Sequence, residues 1–173
     1  MTTAPLLDLL LEVPANRAGG EAVAEAVRAD PTRTAALVDA LVFPDARVRL
    51  VAATAVDLIA EHDAALLEPF AAAVLDAAME ARGMPRYLLA RTLPRLALTD
   101  ANVAEAAAVL RHYLATERKS RAARAFAASG LARLSLRDPA LREEAAAAIA
   151  AALMASPAER AQARLAQRLL GRL

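Results

Sequence analysis

Apolar residues recur along this chain at the three-and-four spacing of a helix face, as in Val48, Val51, Ala52, Ala55, Val56 and Ile59. Capping and stop residues separate one stripe from the next. Asp30-Pro31, Asp138-Pro139 and Ser156-Pro157 each place a capping side chain before a proline at the first helical position, where its missing N–H is not needed. Pro44-Asp45, Gly83-Met84-Pro85 and Thr99-Asp100 mark further boundaries. The pattern predicts helices over 5–13, 20–29, 31–42, 45–60, 64–80, 85–98, 100–115, 119–136, 139–155 and 157–172. Gly19-Gly20 reads as a loop before the second of these, and Gly130 as a close-packing position. Pro69 and Pro94 fall inside two predicted helices and are expected to kink them or set a late start.

The stripes repeat. Moving the segment from Val48 to Ile59 on by 37 residues superposes Arg49 on Arg86, Ala53 on Ala90, Val56 on Leu93 and Ile59 on Leu96. A further 38 residues carries these to Arg124, Ala128, Leu131 and Leu134. A fourth copy keeps Ala166 and Leu169 but has Gln162 and Arg172 at the other two positions. Each copy follows another helix, so the unit is a helical hairpin of about 38 residues.

Asp45-x-x-Val48-Arg49-x-x-Ala52-Ala53-x-Ala55-Val56-x-x-Ile59 resembles the second helix of a HEAT repeat. Arg86-Tyr87-x-Leu89-Ala90-x-x-Leu93 and Arg124-x-Phe126-Ala127-x-x-x-Leu131 follow the same pattern, over residues 31–173 as a whole. The tetratricopeptide and ankyrin signatures are absent. The resemblance, which extends to small bacterial HEAT-repeat proteins without an assigned activity, implies an all-α fold: a right-handed α-α superhelix, or HEAT-like solenoid. It would hold about four hairpins over 31–173, with 1–30 as N-terminal cap helices, in one domain spanning 1–173. It also implies that Arg49, Arg86 and Arg124 pair with aspartates between repeats, and that the second helices line a concave face.

Composition explains part of this. Of 100 apolar residues 50 are alanine and 28 leucine, which favours helix and argues against a sheet-based enzyme. At Ala52, Ala53, Ala90, Ala127 and Ala128 a small side chain lets stacked helices approach closely. Leu6, Leu7, Leu9, Leu10, Leu11 and Val13 make the first helix too apolar to stand in water. It is expected to cap the first hairpin, with packing on a second molecule as the alternative, so that the chain is a monomer or a dimer through that helix.

A near-neutral total of +1 hides an uneven distribution, −7 over 1–83 and +8 over 84–173. The chain has no cysteine, so a disulfide framework and a thiolate zinc site are both excluded. No secretory signal is recognisable, and the longest uncharged apolar run, 145–155, is far short of the ~20 residues of a membrane span. A cytoplasmic protein, with no membrane partner, is expected.

Chemistry is hard to find. The five glycines form no phosphate-binding pattern, and only His62 and His112 are available as bases. Glu61-His62-Asp63 is three consecutive residues pointing in different directions, which suits a helix end better than a metal. No catalytic, metal or cofactor site is expected. The arginines alone carry functional promise: Arg160, Arg164, Arg168 and Arg172 recur every four residues, Arg91 and Arg95 share that spacing, and Arg118, Lys119, Arg121 and Arg124 crowd another helix start. Arg91, Arg95, Arg121, Arg164 and Arg168 are therefore the candidates for binding a partner or an anion. The expected function is a non-catalytic scaffold that binds a protein partner, an acidic segment, on the concave face. The alternative is electrostatic binding of a nucleic-acid backbone through the arginine-rich half. HEAT-like DNA glycosylases share the implied architecture but stack bases on aromatic residues. With no tryptophan and two tyrosines, base excision is not expected.

Overall fold

Alanine and leucine lose little side-chain freedom in a helix, and the chain uses them accordingly. A computed structural model describes residues 6–117, 120–154 and 157–171; these form ten α-helices and five short 3-10 segments, with no strand among the described residues. They divide into two compact units, Met1–Ala97 and Leu98–Leu173.

The first unit holds α1 (Leu6–Glu12), α2 (Arg17–Ala29), α3 (Thr34–Asp39), α4 (Ala46–His62), α5 (Ala71–Glu80) and α6 (Met84–Thr92). Helix α4 is its axis, packed between α2 and α6 and touched by α1 and α3. Enclosure on so many sides explains why Val48, Val51, Ala52, Ala53, Ala55, Val56 and Ile59 are all fully buried. Asp45 starts α4 by accepting a hydrogen bond from the Arg47 N–H at 2.7 Å. Helix α1 lays Leu6 and Leu10 into the core and leaves Leu7 and Leu11 exposed.

Several helices predicted as continuous are broken. Residues 31–42 become 3-10 turns at Pro31–Arg33 and Ala40–Val42 flanking a six-residue α3. Pro69 lies in a 3-10 segment, Ala64–Phe70, and α5 starts only after it; Pro94 ends α6 in another, Leu93–Arg95. A proline ring has no N–H to donate and crowds the carbonyl four residues back, so the α-helix yields at each. Asp30 does not cap: its carboxylate accepts from the Thr32 hydroxyl at 2.6 Å and Arg33 Nε at 3.0 Å. Those contacts, the hydroxyl first, hold its pKa below the usual value. Ser156 lies outside the described residues.

Gly19-Gly20 is not a loop. Both residues are inside α2, which begins one turn earlier because the Asn16 side chain accepts from the Gly19 N–H at 3.1 Å. A Cβ on Gly20 would lie 2.3 Å from Thr54 Cγ2 and 2.7 Å from Thr54 Cβ; one on Gly19 would lie 2.0 Å from the Pro14 carbonyl oxygen. Gly20 is where α2 meets α4, and Gly19 lies against the Val13-Pro14 turn that leads into α2.

The second unit holds α7 (Asp100–Thr116), α8 (Arg121–Leu134), α9 (Arg142–Leu153) and α10 (Pro157–Leu170). Thr99, Ser120 and Asp138 cap their segments, accepting from Asn102, Ala123 and Ala140 N–H at 3.3, 3.2 and 3.0 Å. Helix α8 is central, packed against α7, α9 and α10, and buries Ala123, Ala125, Ala127, Ala128, Leu131 and Leu134. Gly130 is buried on the same helix. Tyr113 of α7 is fully enclosed, and Arg111 of α7 grips Glu144 of α9 with two N–H groups at 2.7 Å.

Gly20→Ala tests the crossing. Helix propensity would favour alanine by about 0.5–1 kcal/mol, whereas overpacking in a tight interface costs about 1–3 kcal/mol. We expect a net loss of about 1–2 kcal/mol in urea denaturation. An unchanged or raised midpoint would show that α2 and α4 do not meet this closely.

Candidate functional site: the arginine surfaces

Arg91 and Arg95 lie on α6 and the 3-10 turn that ends it, and both reach Asp57 of α4. Arg91 Nη2 is 3.3 Å from Asp57 Oδ2, and Arg95 Nη1 is 3.1 Å from Oδ1. The Thr92 hydroxyl lies 3.4 Å from Oδ1 and 3.1 Å from the Leu88 carbonyl. Tyr87 adds a second contact to Arg91, its hydroxyl 3.3 Å from Nη1 and the guanidinium carbon 5.8 Å from its ring centre. The Asp57 side chain is 5% exposed, so a charged group has been taken almost wholly out of water. Burial pushes its carboxyl above the usual carboxylate range; Arg91, Arg95 and the Thr92 hydroxyl oppose this without cancelling it, and Glu61 adds to it. Burial alone would lower the Arg91 pKa, but its bond to Tyr87 and the Asp57 charge outweigh that and raise it. A cleft of about 220 Å³ opens beside this cluster, lined by Leu50, Thr54, Leu58 and Leu88 as well as Asp57 and Arg91. Each Asp57 oxygen already faces a guanidinium, so the cluster is first a clamp between α4 and α6.

Of the arginines matching the repeat pattern, Arg49 departs from expectation. Arg49 does not turn to an aspartate: its Nη1 donates to the Phe43 and Pro44 carbonyls at 2.7 and 2.6 Å, closing the turn before its own helix. Arg86 Nε donates to the Ala81 carbonyl at 3.2 Å in the equivalent turn. Arg124 Nε is buried and has no hydrogen-bond partner. Aspartate pairing between helices does occur, but at Asp57 with Arg91 and Arg95, and at Asp63 with Arg28, 2.6 Å apart. Asp57 and Arg95 lie 38 residues apart, the period read in the sequence, and that spacing was the available signal.

In the second unit Arg121, Arg164 and Arg168 are exposed, and no ion pair joins them to a carboxylate among the described residues. Arg168 Nε lies 3.3 Å from the Arg164 carbonyl on its own helix. Helix α10 turns Ala163 and Ala166 inward, and Gln162 Nε2 donates to the Ser129 hydroxyl of α8 at 3.1 Å. Arg121 is eight residues before Ser129, about 12 Å along the axis, while Arg164 and Arg168 follow Gln162. Arg164 and Arg168 are neighbours one turn apart on α10, and Arg121 is on a different helix, α8. Arg160 is half-buried; Arg118, Lys119 and Arg172 lie outside the described residues.

Among the described residues no three His, Asp or Glu side chains are grouped to hold a metal ion. His62 is exposed at the end of α4, and His112 is half-buried with its ring 6.4 Å from that of Tyr113. No described helix is long and apolar enough to cross a membrane.

The raised pKa of Asp57 has a definite sign. A carboxyl whose folded pKa exceeds its unfolded value, 3.8, contributes stability that is fully present below 3.8 and is lost as pH rises through the folded value. Asp57→Asn cannot titrate. Denaturation of both proteins at several pH values, starting below 3.8, should therefore show wild type losing stability relative to the variant as pH rises through that window. A difference moving in favour of wild type would mean that the two arginines, not burial, dominate the carboxylate.

No protein-family profile, curated protein or solved structure matches this chain.

Proposed function

We propose that the chain is a cytoplasmic, non-catalytic interaction scaffold of HEAT-like hairpins in a right-handed superhelix, and that its C-terminal unit receives an acidic segment of a protein partner on the face lined by second helices. Cross-helix contacts at repeat-like separations support the architecture: 35 residues for Arg28 with Asp63, 38 for Asp57 with Arg95, and 33 for Ser129 with Gln162. Residues 98–173 carry eleven Arg and Lys119 against seven carboxylates. With Arg91 and Arg95 held by Asp57, the candidates open to a partner reduce to Arg121, Arg164 and Arg168. The observation that carries the reading is the company Arg164 and Arg168 keep. Leu165, 55% exposed, and exposed Ala161 lie beside them, making a surface that is part apolar and part cationic. A protein helix offers both apolar and acidic groups to such a surface, whereas a phosphate backbone matches only its charge.

Nucleic-acid binding is the second reading, favoured by the positive balance of this unit. One titration separates the two. A fluorescent acidic amphipathic peptide, a duplex and a single-stranded oligonucleotide are each titrated at low and high salt. The peptide should bind, and Arg164→Ala/Arg168→Ala should weaken it about tenfold or more, as expected for two charge-assisted contacts. Oligonucleotide binding with a steep salt slope that the double variant flattens would replace the reading with the second one. Peptide binding indifferent to both substitutions would remove this surface from consideration.

A further inference from the structure

We infer that the acidic segment received by α10 is the α1 helix of a second copy of this chain, so that the molecules associate head to tail. The inference rests on the preceding reading of the α10 surface. Helix α1 buries Leu6 and Leu10 in its own unit and turns Leu7 and Leu11, 38% and 42% exposed, outward beside exposed Asp8 and Glu12. Helix α10 turns out Ala161 and Leu165 beside Arg164 and Arg168. Each face is thus one apolar pair and one charged pair, every pair at four-residue spacing and about 6 Å apart along its axis. The charges are opposite.

Handedness matches as well. In α1 the carboxylates are one position after the leucines, about 100° round the helix in the forward sense. In α10 the arginines are three positions after Ala161 and Leu165, about 60° round in the backward sense. Two helices laid side by side see each other's flanks reversed. With α1 and α10 parallel, the apolar pairs meet and the carboxylate row lies on the same flank as the arginine row. Antiparallel packing would put the two rows on opposite flanks. Charge at larger scale favours the same pairing: residues 1–97 carry nine arginines against thirteen carboxylates, net −4, and residues 98–173 are net +5. A seven-residue helix buries little area, so the association is weak and salt-sensitive. Because the two surfaces differ, the contact is heterologous: each copy that uses one still offers the other.

Sedimentation velocity of the full chain over a concentration series, at low and high salt, tests this. Wild type should show an average mass that rises with concentration and falls back with salt. Asp8→Arg/Glu12→Arg and Arg164→Glu/Arg168→Glu should each lose association about tenfold or more, with circular dichroism unchanged because all four residues are exposed. Mixed together, the two variants should associate again, since each then offers the charge the other needs. Wild type that stays monomeric, or association that survives the α1 reversal, overturns the inference. In either case acidic-peptide binding lost in Arg164→Ala/Arg168→Ala leaves the reading of the α10 surface standing, and its absence removes both.

Discussion

The distance at which α2 lies against α4 governs the first unit. That distance is set by absence: Gly20 has no side chain where Thr54 presses on α2, and the fully buried alanines of α4 keep its other flanks equally low. Side chains that cross between helices have a fixed reach. Arg28 spans from α2 to Asp63 and the Leu58 carbonyl, and Arg91 and Arg95 span from α6 to Asp57, only because the helix axes are this close. Small residues and long arginines are two halves of one design, the first bringing backbones together and the second tying them.

Such ties explain why an arginine-rich helical protein need not be a polyanion binder. Arg47 donates to the Leu11 and Val13 carbonyls and anchors the end of α1; Arg137 donates to the Leu98 carbonyl; Arg49 and Arg86 close turns. A guanidinium with five fixed donors satisfies carbonyls that helix ends leave open, work that lysine's single head does less well. In Asp57 the same chemistry reaches the interior, where attraction from two cations does not offset the loss of water around the carboxylate.

Much of the fold was legible in the residues because helix signals are local. The Val48–Ile59 stripe, the caps at Asp45 and Thr99, and the late start after Pro69 all depend on neighbours within one or two turns. What failed had causes elsewhere in the chain. Gly19-Gly20 looks like a loop until Thr54, 34 residues away, is seen to occupy the missing side chain's place. Arg91 and Arg95 have the four-residue spacing of a solvated stripe, and nothing nearby in sequence announces that Asp57 lies beneath them. The exposure of Arg164 and Arg168 was readable, because Ala163 and Ala166 mark the inner face of the same helix. Arg121 matched them by residue type but not by position.

The pairs at 33 to 39 residues, from Arg111 with Glu144 to Arg137 with Leu98, have a kinetic meaning too. Each of these ties closes a loop no longer than one hairpin and its neighbour, so no such step requires distant parts of the chain to find one another first. Order can then begin within either unit, between helices that are near neighbours in the chain. The cost of closing each such loop is set by its own 33 to 39 residues and not by the length of the chain, so helices tied in this way are expected to order quickly.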